Sequence, residues 1–172
     1  VIESSFGSRY NSLKLRYSIE DTPLDTGGAL RYALLKFSSD VILVMNGDSY
    51  IEADLASFSE SFYQKGLDAC MLLTEVSDVS RFGSVKFNHD MKIISFEEKG
   101  VLTGPGWINA GVYLLKRSLI AEIPKWRPFS LEKEFFPRLS GKRLFGFCVK
   151  GDFIDIGTPE SYANEDKIFS KY

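Results

Sequence analysis

Apolar and polar residues follow two rhythms along this chain, and the change between them predicts its architecture. Residues 13–19 read as a strand. Residues 26–37 place Ala29, Leu30, Ala33, Leu34 and Phe37 at helical spacing behind Thr26, a residue suited to capping a helix start. Val41-Ile42-Leu43-Val44-Met45 is apolar throughout, which suits a strand covered on both faces, as in a parallel sheet flanked by helices. Residues 54–65 read as an amphipathic helix with Leu55, Phe58 and Phe62 on one stripe, stopped by Gly66, and 69–74 is strand-like again. Strand, helix, strand, helix, strand in that order predicts an α/β fold with right-handed crossovers.

Beyond Glu75 the strands shorten and the turns come closer. Residues 83–87, 93–98 and 107–115 read as strands, with Asn88-His89-Asp90 as a turn between the first two, so an antiparallel extension is expected. Residues 118–122 and 130–139 read as helices. The second opens Ser130-Leu131-Glu132-Lys133, close to a capping box but with Lys where Glu or Gln is wanted. Residues 144–149 form a strand, and Thr158-Pro159-Glu160 opens a final helix with Pro at its first position. No repeat, low-complexity stretch or linker interrupts residues 1–172, which read as a single domain.

Composition narrows the class. A chain of 172 residues with 44% apolar content hides roughly 70% of its unfolded surface without disulfides or metal staples. That excludes disulfide-rich, collagen-like and disordered classes. Lys and Arg number 21 against 23 for Asp and Glu, with no long run of either sign, so no nucleic-acid partner is expected. The longest apolar runs are too short to span a bilayer, and the opening residues lack the pattern of a signal peptide, so no membrane and a cytoplasmic setting are expected. Cys70 and Cys148 each sit in an apolar stretch and read as buried free thiols.

Candidate chemistry gathers at strand ends. In an open α/β sheet, ligands bind beyond the carboxyl ends of strands, and Asp48 stands there directly after Gly47. A hard cation such as Mg2+ takes carboxylate and phosphate oxygens, and Asp48 is placed to supply one, although Asn46-Gly47-Asp48 equally suits a plain turn. Asp155 is bracketed by Ile154 and Ile156, where an unpaired carboxylate is costly and a cation would compensate it. Capping of the next helix is the other role open to Asp155, though Thr158 fits that position better. Gly27-Gly28 at a strand-to-helix junction lets a ligand approach bare backbone, or makes a common turn; the three-glycine dinucleotide fingerprint is absent. Glu98-Lys99 and Asn109 offer an acceptor, a cation and an amide for a polyhydroxylated phosphate ester.

These blocks, in this order and from about residue 15 to residue 162, resemble the sugar-1-phosphate nucleotidyltransferase family. The finer likeness is to D-glycero-D-manno-heptose 1-phosphate guanylyltransferases. It is carried by residues 20–30, Asn46-Gly47-Asp48-Ser49, Ser130-Leu131-Glu132-Lys133 and Phe153-Ile154-Asp155-Ile156-Gly157. Mannose-1-phosphate guanylyltransferases and glucose-1-phosphate thymidylyltransferases are near alternatives. The resemblance implies a Rossmann-like, mixed and mainly parallel sheet flanked by helices, of the nucleotide-diphospho-sugar transferase type. It implies transfer from a nucleoside triphosphate, GTP favoured, to a heptose- or mannose-type sugar 1-phosphate, with release of pyrophosphate. Asp48 and Asp155 then hold Mg2+ and, with Lys99, are the catalytic set. Gly83, Glu98, Lys99 and Asn109 match the sugar-phosphate side, and Glu20, Thr26, Gly27 and Gly28 match the nucleotide side.

An anomeric phosphate is ionised at neutral pH and needs no general base, so catalysis reduces to alignment and charge neutralisation. The scarcity of His agrees with this, and His89 reads as a solvated turn residue. A carboxylate at Glu20 can accept both the ring N–H and the amino group of guanine, whereas thymine or uracil suits an amide better. Two departures from the family stand out. Asp25 occupies a position that is usually Gly, although Asp tolerates left-handed geometry. The Gly-rich triphosphate loop is not matched, so the domain is expected to be N-terminally incomplete by about 65–75 residues, a length that fits two strands and a helix. A homo-oligomer stays open, as do a thymidylyl- or uridylyltransferase of the same family and a non-catalytic nucleotide-sugar-binding regulatory subunit.

Overall fold

Whether an apolar stretch becomes a strand depends on whether a neighbour completes its hydrogen-bond ladder. The computed structural model describes residues 1–157 and 162. Its elements begin with α1 (Ile2–Phe6), β1 (Arg9–Tyr10), β2 (Leu13–Lys14), α2 (Asp25–Ala33), β3 (Val41–Met45) and β4 (Ser49–Ile51). There follow α3 (Leu55–Gln64), β5 (Ala69–Val76), β6 (Ser84–Phe87), β7 (Ile93–Glu97) and β8 (Gly106–Lys116). The chain continues through α4 (Arg117–Ile120), a π-helical turn (Leu131–Phe135), α5 (Phe136–Leu139), β9 (Leu144–Val149) and β10 (Phe153–Asp155). The helix expected from Thr158 lies outside the described residues.

The central sheet is mixed and runs β3-β8-β5-β9. β9 is parallel to β5, while the long β8 is antiparallel to both β3 and β5. The parallel neighbour expected for β3 is therefore replaced, among the described strands, by an antiparallel one. β8 feeds back between β3 and β5 without needing a helical crossover. The strand expected at residues 13–19 shrinks to Leu13–Lys14, paired with Arg9–Tyr10. Leu15 N still donates to Ser8 O at 2.9 Å, but residues 16–20 have no ladder partner among the described residues, and alternation alone does not make a strand.

Alternating side chains of β5 serve two cores, as the pleat requires. Ala69, Met71 and Leu73 join Ile42, Tyr113 and Leu115 against Phe129, Leu131, Phe135 and Phe136. On the other face Cys70 and Leu72, with Val112 and Leu114 of β8, meet Phe58 and Phe62 of α3. Each of those rings is fully buried, a gain of about 1.5–3 kcal/mol apiece. α3 starts at Asp54, whose carboxylate accepts from the amides of Ala56 and Ser57 at 3.0 and 3.1 Å. It ends as expected at Gly66, whose φ of 60° allows its amide and that of Leu67 to reach back to the carbonyls of Tyr63 and Phe62. Cys148, on the edge strand β9, is only half-buried, unlike the expected buried thiol. Burial pushes the Cys70 thiol up to about 12 and that of Cys148 up to about 11, leaving both as weak nucleophiles at neutral pH.

The 130–139 helix forms with a wider first turn. Ser130 Oγ accepts from Lys133 N at 3.1 Å, and Glu134 Oε1 accepts from Ser130 N at 3.3 Å. The capping box is thus closed one residue later than the usual spacing, because the π turn brings Glu134 where Lys133 could not serve. Thr26 does not cap α2, whose preceding residue is Leu24; its hydroxyl has other partners, described below. Among the described residues, no helix is long and apolar enough to cross a membrane.

Candidate active site

Asp48 lies in the short turn between β3 and β4, and the pairing of β4 with β10 places Ser49 opposite Asp155. The backbone then holds the corner together, with Ile156 N donating to Asp48 O at 2.9 Å. Gly157 N donates to Asp155 Oδ1 at 2.8 Å. A Cβ on Gly157 would stand 2.9 Å from Asp155 Oδ1 and 3.5 Å from Asp48 Oδ2, so the two carboxylates converge on one point. Asp48 is exposed and Asp155 half-buried. Neither enters an ion pair among the described residues, and no third His, Cys, Asp or Glu joins them there. Two oxygen-donor acids open to solvent fit a hard divalent cation that keeps its remaining positions for phosphate and water.

A cavity of about 460 Å³ lies beside this corner, lined by Thr26, Val44, Met45, Asn46, Gly47, Asp48 and Leu131. It brings the start of α2 and the acid corner to one hollow. A separate hollow of about 540 Å³, between Tyr17, Tyr32 and Trp126, contains none of the expected site residues.

The Thr26–Gly28 turn is built differently from its expected role. Gly27 N and Gly28 N both donate to the Phe129 carbonyl, at 2.8 and 2.9 Å. Thr26 Oγ1 donates to Glu132 Oε2 at 2.8 Å and accepts from Leu131 N at 2.9 Å. A Cβ on Gly27 would fall 2.8 Å from Phe129 O, and one on Gly28 2.8 Å from Arg127 O. The glycine pair is there because two backbones touch. Its amides face the 127–131 stretch, and only Thr26 of this group lines the cavity. Glu20 Oε2 accepts from Leu24 N at 2.8 Å and fixes the loop before α2. Asp25 holds a φ of 59° and accepts Thr26 N on its own carboxylate at 2.7 Å, so Asp takes the left-handed position that Gly would fill.

On the other side, Gly83 has a φ of 76°, and a Cβ there would lie 2.5 Å from Glu97 O and 3.5 Å from Lys99 N. Gly83, Glu98 and Lys99 thus sit together, the two charged residues exposed. Phe82 packs edge-on against Phe153 at 5.6 Å, which ties this group to β10 near Asp155. Asn109 is engaged inward: its Nδ2 donates to the Tyr113 hydroxyl at 2.8 Å and its Oδ1 accepts from Gly111 N at 2.9 Å. Burial pushes the Tyr113 hydroxyl above its ordinary range, and the charges of Glu132 and Asp48 push the same way. His89 is exposed and lies 3.2 Å from Asp90, remote in role from all of these groups.

Sequence reasoning missed Glu132, Gly111, Tyr113 and Gly157 as parts of this site. A glycine inside the apolar run of β8 was the available signal, since it marks a bulge or a close backbone approach.

Residues 2–171 match the family model described as nucleotidyl transferase. The chain is 33% identical over 173 residues to D-glycero-alpha-D-manno-heptose 1-phosphate guanylyltransferase of Aneurinibacillus thermoaerophilus, covering 100% of this chain and 74% of that one. It is 32% identical to mannose-1-phosphate guanylyltransferase of Mycobacterium tuberculosis, covering 94% of this chain but 46% of the relative. HddC from Yersinia pseudotuberculosis, solved as a complex with GMP-PN, is similar in structure with a TM-score of 0.77 and 39% identity. That match covers 87% of this chain and 64% of the solved one, so this chain spans less than two thirds of its length.

Proposed function

Because this chain belongs to the nucleotidyl transferase family, with the fold of the nucleotide-diphospho-sugar transferases, we propose that it joins GTP to a heptose- or mannose-type sugar 1-phosphate, giving a nucleotide-sugar and pyrophosphate. The observation that carries this is the convergence of Asp48 and Asp155 beside a cavity that also holds Thr26. Asp48 and Asp155 would hold Mg2+ through their carboxylate oxygens. When bound, the cation neutralises charge building at the nucleotide phosphates.

The residues align two anions and move no proton. The sugar phosphate, already ionised, presents an oxygen to the α-phosphorus; the bond from that phosphorus to the β-phosphate breaks and pyrophosphate leaves with the electron pair. Lys99 and Glu98 are exposed near β10, where a cation and an acceptor suit the sugar phosphate and its hydroxyls. Glu20 and Thr26 flank the nucleotide side, and the Glu20 carboxylate favours guanine. Gly83, Gly27 and Gly28 support the site by letting backbones meet. We place the reaction in the cytoplasm, where Cys70 and Cys148 persist as thiols.

The same proposal takes the domain to be N-terminally incomplete. It is supported by the open face of β3, where Leu43 and Met45 are 44% and 55% exposed, and by residues 16–20, which lack a ladder among the described residues. A flanking helix would cover the first and a further strand would pair the second.

The test measures pyrophosphate release with GTP or dTTP, Mg2+ and a panel of sugar 1-phosphates. The intact protein is expected to prefer GTP, and the 172-residue chain alone to turn over poorly. Preference for dTTP overturns the base assignment, and robust turnover by the chain alone overturns the incompleteness. Tight, metal-independent binding of a GDP-sugar without turnover by the intact protein would instead identify a regulatory subunit.

A further inference from the structure

β8 departs from a regular ladder where it passes the acid corner. Met71 lies opposite Tyr113 and Leu73 opposite Asn109, so β8 has four steps where β5 has two. The surplus is a bulge centred on Gly111, whose φ of 76° is open to glycine, and a Cβ there would come within 3.0 Å of the Asn46 side chain. Asn109 holds the bulge from inside through its bond to Gly111 N, and is itself held by the Tyr113 hydroxyl. On the outside, the Gly111 carbonyl accepts from Asn46 N at 2.8 Å. Asn46 stands two residues before Asp48, at the point where β3 ends.

The hydroxyl of Tyr113 calls for an explanation. Tyr113 is fully buried, and its ring packs against Phe136 with centroids 4.7 Å apart. A Phe would make that contact equally well and would bring no polar atom into the core, which costs free energy unless paired. Among the described residues, the hydroxyl's hydrogen-bond partner is Asn109.

We propose that Tyr113 is a positioning residue, acting through Asn109 and the Gly111 bulge to set the Asn46-Gly47-Asp48 turn and so aim Asp48 at the point it shares with Asp155. This rests on Asp48 and Asp155 being the cation-binding acids. It assigns Asn109 a task inside the fold, beside any contact it makes with the sugar phosphate. Partners bonded directly to a ligand change metal affinity by about 10–100-fold when removed; Tyr113 acts through several bonds, so a smaller change is expected.

The experiment compares wild type with Tyr113→Phe in the full chain, using two readouts besides activity. Amide hydrogen exchange at Asn46, followed by NMR, reports the bond to Gly111. Mn2+ titration followed by EPR, with Mn2+ as the probe cation, reports the acid pair. Tyr113→Phe is expected to speed Asn46 exchange by about tenfold, equivalent to the loss of one ordinary hydrogen bond. It should also weaken Mn2+ binding by about three- to tenfold, below the range for partners bonded directly to a ligand, with the unfolding midpoint close to wild type. If Tyr113→Phe does not fold, Asn109→Ala cuts the same connection one bond nearer Gly111 and is expected to move both readouts likewise. Unchanged exchange at Asn46 in the folded variant overturns the positioning role, as does wild-type Mn2+ affinity in a variant whose fold is intact. Wild-type protein that binds no Mn2+ overturns the assignment of the acid pair instead, and exchange at Asn46 then decides the positioning role alone.

Discussion

The acid corner and the glycine turn reach one cavity through Asp48 and Thr26, yet they use their polar groups in opposite ways. At Asp48 and Asp155 the main chain makes the bonds that hold β4 to β10, and the carboxylates enter no ion pair among the described residues. At Thr26-Gly27-Gly28 the amides and the hydroxyl are themselves the bonds, engaged by Phe129, Leu131 and Glu132. A glycine-rich strand-to-helix junction is often an anion cradle; here its missing side chains let two segments of the same chain touch. Carboxylates that accept single bonds from the neighbouring Gly157 amide and Ser49 hydroxyl keep lone pairs for a ligand, whereas the groups of the glycine turn hold the wall of the site in place.

The largest effect expected from this contrast comes from Asp48→Ala or Asp155→Ala in the intact protein. Either should lower nucleotidyl transfer by about 10³-fold, the rate equivalent of several kcal/mol of lost charge stabilisation, while the unfolding midpoint stays within a few degrees. A loss of only a few-fold would erase the distinction between free and engaged groups. The next effect falls on stability and divides Gly47, which lines the cavity, from Gly27, which packs behind it. Gly27→Ala forces a methyl against Phe129 and should cost about 1–3 kcal/mol in urea unfolding. Gly47→Ala meets nothing within 4 Å and should stay within about 0.5 kcal/mol of wild type. Equal effects at the two positions would show that Gly27 is not a packing residue.

The smallest effect comes from a carboxylate that is paired. Asp68 lies 2.7 Å from Lys116 and 2.9 Å from Arg143, and the hydrogen bonds from both hold its carboxyl below the usual carboxylate range. A carboxyl whose folded value is depressed adds stability above its unfolded value and loses it as pH falls through the folded one. Asp68→Asn should therefore lower stability at neutral pH, by no more than about 1 kcal/mol at this partly exposed site. The gap to wild type should close as the solution is acidified below the ordinary aspartate range. A gap that persists at acid pH would mean that packing, and not charge, makes the difference.

Much of the scaffold was legible because local pattern and tertiary environment agree. The 54–65 helix and the apolar runs of β5, β8 and β9 appear where their periodicity puts them; the run 41–45 forms its strand, but with an antiparallel neighbour and with Leu43 and Met45 exposed on one face instead of covered on both. The two acids were legible as strand-end carboxylates, Asp48 from its place beyond an apolar strand and Asp155 because an unpaired charge between two isoleucines is costly. Residues 16–20 continue the alternation of a strand but lack a ladder among the described residues, and the Gly27-Gly28 pair reads identically whether the approaching backbone or a ligand fills the gap. The cap by Glu134 was hidden because it depends on a π turn, which no spacing rule for an α-helix contains.

The sequence by itself determined the acids, the glycines, the order of the elements and the two-faced strands of the core. These follow from composition and from periods of two and near four residues, which are properties of the local chain. Only the tertiary structure decided that Asp155 meets Asp48, that Thr26 binds Glu132, and that Asn109 is held by Tyr113. Each of those contacts joins residues through packing or through a bulge that breaks the local period. Hydrogen bonds and charges act over a few ångströms in space, whatever the separation along the chain.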